Sequence, residues 1–166
     1  MRGRAYIVPH RRRREGKTNY KFRLRLLKSG KLRFCIRKSL NNIVCQIVQY
    51  KPAGDVTLAS SDSKELKKFG WGFHGGNIPS AYLAGYLCGL RAKKNKIEKC
   101  VLDTGLYPSI KGSRIYAALK GAVDSGVKIP HSEKILPPED RIKGKHTPQA
   151  EKMAKVFETV KTKLKA

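Results

Sequence analysis

The chain has 166 residues, with 37 Lys and Arg against 12 Asp and Glu, for a formal net charge of +25. That length allows one domain with arms, or at most two small ones, and 40% hydrophobic residues are enough to bury a core. The balance excludes collagen-like, mucin-like and acidic disordered classes, and makes a polyanion, above all nucleic acid, the expected partner.

The charge is unevenly spread. Residues 1–38 hold 15 Lys or Arg and one acid, Glu15, a net +14, whereas residues 39–126 carry +6 and residues 127–166 carry +5. Three units are therefore expected: a basic arm over 1–30, an α/β core over 31–126, and a Pro-rich extended segment with a final helix over 127–166. The first residues lack the apolar stretch of a secretory signal, and the apolar run from Ile78 to Leu90 is too short to span a bilayer. A soluble intracellular protein is expected.

In the arm, Arg11 to Arg14 are followed by Lys17, Lys21, Arg23, Arg25, Lys28 and Lys31. Such a run suits phosphate neutralisation, in which each contact releases counterions and binding becomes steeply salt-dependent. Its charges repel and its apolar content is low, so the free arm is expected to be loosely ordered. Tyr6, Tyr20 and Phe22 lie among the cations, where they either stack on unpaired bases or anchor the arm to its own core.

Leu32, Phe34 and Ile36 alternate with Arg33, Cys35 and Arg37, the pattern of a strand with one basic face. Arg33 and Arg37 are thus expected to meet RNA at fixed spacing. After the Asn41-Asn42 turn, Ile43 to Tyr50 reads as a second strand, and Val56 to Ser60 as a third beyond the Pro52–Asp55 turn. Two short reversals predict an antiparallel meander.

A short helical stretch ends at Gly70, and a longer helix begins near Pro79. On that helix Leu83, Leu87 and Leu90 form one stripe, and Ala81, Gly85 and Gly89 a small one, expected to let the backbone lie close to a sheet. Lys99 to Asp103 reads as a fourth strand. Ser113 is the expected cap of a helix carrying Ile115, Ala118, Leu119, Ala122 and Val123, which Gly126 ends. The fold class is α/β: a mixed sheet with a β-meander followed by α-β-α. Pro130, Pro137, Pro138 and Pro148 argue for an extended segment, and Met153, Val156, Phe157, Val160 and Leu164 for one face of a last helix.

Lys111-Gly112-Ser113-Arg114 opens a helix, so free N–H groups, the helix dipole and two cations make an anion site there. Enzyme signatures fail in turn. Gly16-Lys17-Thr18 ends like a phosphate-binding loop, but the leading glycine falls on Arg11. Asp103-Thr104-Gly105 needs a second carboxylate to act as an aspartic-protease site. His10, His74, His131 and His146 lack metal-ligand spacing; His10 and His131 suit phosphate or base contacts. Cys35, Cys45, Cys88 and Cys100 form no Cys-x-x-Cys pair and read as small core hydrophobes in a reducing compartment. No cofactor, no metal and no catalytic residue are expected.

Arg11-Arg-Arg-Arg-Glu-Gly-Lys-Thr-Asn-Tyr20 resembles the amino-terminal signature of the 5S-rRNA-binding protein family of the large ribosomal subunit, number eighteen in bacterial naming and five in eukaryotic naming. Thr57-Leu-Ala-Ser60, Glu65-Leu-Lys-Lys-Phe-Gly-Trp71, Val101-Leu-Asp103, Lys111 to Asp124 and Ile129-Pro-His-Ser132 extend the resemblance over residues 4–148. This form of the arm and the short stretch beyond the core resemble archaeal members. Cys35, Cys45 and the Gly72–Asn77 turn depart from the family pattern.

The resemblance implies a cytoplasmic place in the ribosome, where a mixed α/β core binds 5S rRNA and ties it to large-subunit rRNA at the central protuberance, beside another 5S-associated ribosomal protein. With the readings above, the expected RNA contacts are Arg4, His10, Arg11, Arg12, Arg13, Arg14, Lys17, Tyr20, Arg23, Arg25, Lys28, Lys31, Arg33, Arg37, Lys111, Ser113, Arg114 and His131. The competing expectation is a nucleic-acid-processing enzyme on an α/β core.

Overall fold

Four strands form the centre of the computed structural model, which describes residues 7–165: β1 (Leu32–Lys38), β2 (Ile43–Gln49), β3 (Val56–Asp62) and β4 (Cys100–Asp103). Their order is β3-β2-β1-β4. The first three run antiparallel, with Phe34 opposite Ile47 and Ile36 opposite Cys45, and β4 lies parallel to β1 with Leu102 beside Phe34. The sheet is mixed, as the two short reversals and the later crossover predict. Ser39 and Asn42 close the first hairpin: Ser39 N–H donates to the Asn42 carbonyl at 2.8 Å, and Asn42 N–H donates to Ser39 Oγ at 2.9 Å.

Alternation gives the sheet two unlike faces. Phe34, Ile36, Ile43, Cys45, Ile47 and Ala59 are buried in the main core, while Arg33, Cys35, Arg37 and Asp103 belong to the other face. β3 runs two residues further than expected, because Asp62 continues directly into a cap. Its carboxylate accepts from Lys64 N–H at 2.9 Å, and Glu65 Oε1 accepts from Asp62 N–H at 2.9 Å. The stretch so capped, Ser63–Phe69, is a 3₁₀ helix, and it ends at Gly70, whose φ of 96° favours glycine.

α3 (Ile78–Lys94) starts where Asn77 Oδ1 accepts from Ser80 N–H at 2.8 Å, and α4 (Arg114–Asp124) ends before Gly126. The small stripe of α3 does its work against α4, and not against the sheet. A Cβ on Gly85 would stand 1.9 Å from the Ala118 carbonyl oxygen, and one on Gly121 would stand 2.1 Å from that of Tyr82. Backbone meets backbone because both helices offer small residues at the crossing; the leucines of α3 take the remaining directions.

The carboxyl-terminal part is more regular than its prolines imply. Lys128 bridges Lys99, a 3₁₀ turn covers Glu133–Ile135, and α5 (Glu139–Ile142) begins just after Pro138, a residue preset for a helix start. α6 (Ala150–Lys165) buries Met153, Phe157, Val160 and Leu164 against α3 and the 3₁₀ helix. Phe157 lies 5.4 Å from the Tyr82 ring, and Lys161 Nζ stands 5.3 Å above that same ring.

All four cysteines are buried free thiols. Burial raises their pKa, that of Cys100 to about 11 and that of Cys88 to about 12, so they are inert packing residues. Among the described residues, no helix is long and apolar enough to cross a membrane.

Candidate nucleic-acid interface

Two helices lie along the arm: α1 (Arg11–Arg14) and α2 (Tyr20–Lys28). Local hydrogen bonds account for this. Asn19 Oδ1 caps α2 by accepting from Phe22 N–H at 3.1 Å, and Arg12 Nε donates to Thr18 Oγ1 at 2.8 Å. Glu15, the arm's one acid, pairs with Arg11 at 3.2 Å and Lys17 at 2.8 Å. Neither helix wholly buries a residue: α1 is exposed throughout, and α2 turns Phe22, Arg23, Leu26 and Leu27, all half-buried, away from its exposed cations.

Arg11, Arg12, Arg13, Arg14, Lys17, Lys21, Arg25, Lys28 and Lys31 are exposed. Tyr20, 38% exposed, stands with its ring 5.2 Å from that of His10. Phe22 is half-buried, in keeping with anchoring. Arg4 and Tyr6 lie outside the described residues.

Behind the arm, a ladder of alternating charges crosses the second sheet face. Arg23 on α2 forks onto Asp55 at 2.9 and 3.1 Å. Asp55 also accepts from Arg33 at 2.6 Å, Arg33 donates to Asp103 at 2.9 Å, and Arg37 reaches the Asp103 side chain at 3.4 Å and its carbonyl at 3.0 Å. Asp103 further accepts from Gly105 N–H at 2.8 Å.

Burial alone would raise the Asp103 pKa, but Arg37, the Gly105 N–H, Cys35 and Arg33 together hold it below the usual aspartate value. Asp55 behaves alike: its burial is outweighed by Arg23 and Arg33. Burial opposes the charge on Arg33, yet Asp55 and Asp103 keep its pKa above the ordinary arginine value.

This geometry changes the reading of several expected contacts. Arg33 is 3% exposed and grips two carboxylates, so it holds the sheet together instead of facing RNA. The basic face of β1 is therefore neutralised at Arg33 and open only at Arg37, whose side chain is 43% exposed. Arg114 donates to the carbonyls of Gly76 at 2.8 Å and Ser39 at 3.3 Å, tying two loops together. Ser113 stands at the cap position of α4, but its hydroxyl makes no cap bond and is buried without a partner. Lys111 is exposed, and so is His131, whose Nδ1 lies 2.7 Å from the Ile129 carbonyl oxygen.

Asp55 and Asp103 order the arginines of this face, although the sequence reads Asp55 as a turn residue and Asp103 as a strand end within an Asp-Thr-Gly tripeptide. The signal available was composition: two acids near the ends of strands in a chain this basic have cations to meet. Asp103 faces arginines and not a second carboxylate, so its Asp-Thr-Gly tripeptide closes a strand. Among the described residues no group of three or more His, Cys, Asp or Glu side chains is placed to hold a metal ion.

A family model described as ribosomal large subunit proteins 60S L5 and 50S L18 matches residues 4–98 and 91–132. The large ribosomal subunit protein uL18 of Korarchaeum cryptofilum is 53% identical over 141 residues, which is 85% of this chain and 72% of that protein.

Proposed function

This chain belongs to the family of ribosomal large-subunit proteins that includes 60S L5 and 50S L18, and from that premise we propose that it binds 5S rRNA and fastens it to the large-subunit rRNA at the central protuberance. As a family member of archaeal type it is an rRNA-binding structural protein of the large subunit in the cytoplasm, working in translation and not as an enzyme. The finer assignment concerns which RNA it holds and with what.

The observation that carries it is the exposed cation density of the arm. Arg11 to Arg14, Lys17, Lys21, Arg25 and Lys28 stand in solvent on two short helices and the turn between them, with Glu15 as the arm's one acid and Arg23 fastening α2 to Asp55. Phosphates are the groups such an array neutralises, and His10 and Tyr20 add ring surfaces for unpaired bases. Arg37, Lys111 and Arg114 on the core and His131 in the segment beyond it complete the contact set, together with Arg4 of the arm. In this division residues 1–30 are the RNA-binding arm, 31–126 the α/β core and 127–166 the Pro-rich segment with the final helix, and the partners are the two rRNAs and neighbouring ribosomal proteins, another 5S-associated one among them.

Ultraviolet crosslinking in cells, followed by sequencing of the RNA recovered with the full chain, tests the assignment. 5S rRNA should dominate, accompanied by large-subunit rRNA. Recovery of mainly messenger RNA or DNA would contradict it.

A further inference from the structure

Lys31, Lys99 and Lys128 stand in a row across one end of the sheet. Lys31 immediately precedes β1, whose Leu32 lies beside Cys100 of β4, so Lys31 and Lys99 are neighbours on parallel strands. Lys128 then bridges Lys99: its N–H donates to the Glu98 carbonyl at 2.7 Å, and its own carbonyl accepts from Cys100 N–H at 3.1 Å. Strand spacing sets the three backbones about 5 Å apart. All three lysines are exposed, and among the described residues none of them forms a salt bridge. Like charges aligned in this way repel one another, and an anion from outside would relieve them.

The row borders a groove of about 570 Å³ whose floor is Cys100, Val123, Val127, Ile129 and Pro130. A neighbouring hollow shares Gly126 and Lys128 with it and adds Lys93 and Lys96, with Glu98 as its one acid. This combination separates the ligand classes. A nucleic-acid strand would match the cations, but it has no aliphatic surface for the floor, and apart from His131 no ring lines the groove to stack on a base. An uncharged apolar peptide would match the floor and leave the lysines unpaired. A peptide with both acids and aliphatic side chains meets both. We infer that the groove docks a short acidic segment of a partner protein, with aliphatic side chains seated on the floor and carboxylates on the lysine row. The inference adds a protein-binding surface to the RNA-binding reading and does not depend on it. Lys31 and His131, both expected RNA contacts, lie where the two surfaces adjoin, and the variants below leave them intact.

The test uses two synthetic peptides of equal length and charge, built of Glu and Asp around a pair of central leucines in one and of serines in the other. Their binding to the full chain is followed by fluorescence anisotropy at physiological ionic strength. The cationic arm attracts both peptides equally, so the difference between them reads the groove. The leucine peptide should bind about tenfold tighter than the serine peptide. Lys99→Gln combined with Lys128→Gln, both at exposed positions, should weaken its binding about tenfold, and Pro130→Glu, also exposed, should erase the difference between the peptides. Each variant should hold 5S rRNA within about twofold of the unaltered chain. Equal affinity for the two peptides, or a leucine preference that survives in Pro130→Glu, would overturn the site. So would a double variant that binds the leucine peptide as before but loses RNA affinity, which would make the lysine row an RNA contact. Failure of the RNA-binding reading is separate, and would appear as no binding of 5S rRNA by the unaltered chain.

Discussion

Arg33 and Asp103 stand on adjacent parallel strands, and their pairing makes a polar layer of a sheet face that apolar residues alone would not cover. Each is almost wholly enclosed, so removing the Asp103 charge leaves the buried Arg33 guanidinium with Asp55 alone, and removing Arg33 leaves the buried Asp103 carboxylate to Arg37 and the Gly105 N–H. Asp103→Asn should therefore lower unfolding free energy by roughly 3 kcal/mol, measured by urea denaturation at neutral pH. The same residues set the response to acid. Asp55 and Asp103 have folded pKa values below their ordinary ones, so their contribution is fully present above the unfolded aspartate value near 4 and lost as pH falls through the lower folded value. Stability measured from pH 7 downward should hold to about pH 4 and then fall, and the fall should be smaller in Asp103→Asn. A variant that keeps the wild-type acid response would show that Asp103 is not a source of it. At this scale the sequence was legible in part. The alternation around Arg33 told which face the side chain takes, but its partners lie 22 and 70 residues away, and only strand register brings them within reach.

Elements show the same mixture. The strands, the two long core helices and the amphipathic last helix follow from periodicity and turn chemistry, since those signals are local. The partner of the small stripe on α3 does not, because glycine spacing announces a close approach without naming what approaches. Gly85→Ala tests the close crossing directly. Helix propensity alone would favour alanine by about 1 kcal/mol, but the new methyl would collide with the Ala118 carbonyl, whose backbone has to shift. The collision should win: a net loss of about 2 kcal/mol would lower the melting temperature by roughly 4 to 8 °C in a chain of this size. A higher melting temperature would mean that the helices have room to spare. The arm helices are a different case. α1 has no apolar residue to announce it, whereas Phe22, Leu26 and Leu27 give α2 a short half-buried stripe, and caps and the Arg23–Asp55 fork join α2 to a turn 32 residues away. Asp55→Ala should accordingly speed amide hydrogen exchange over residues 20–28 while leaving the strands protected.

At the scale of the whole molecule, the decisive fact is where charge is neutralised and where it is left open. The core pairs its acids internally, at Asp55, Asp103, Glu65 and Asp124, whereas the arm carries far more cations than its single acid can meet. A scaffold so arranged presents one strongly positive limb, and polyanion binding becomes the property of that limb rather than of the fold. The measurement that bears most directly on this is the salt dependence of 5S rRNA binding by the full chain, by a chain lacking residues 1–25 and by Arg12→Ala. The full chain should lose affinity steeply as salt rises, Arg12→Ala should change that slope by no more than about one counterion, and the truncated chain should show a much flatter line. An unchanged slope after truncation would place the phosphate contacts elsewhere and contradict the arm's role.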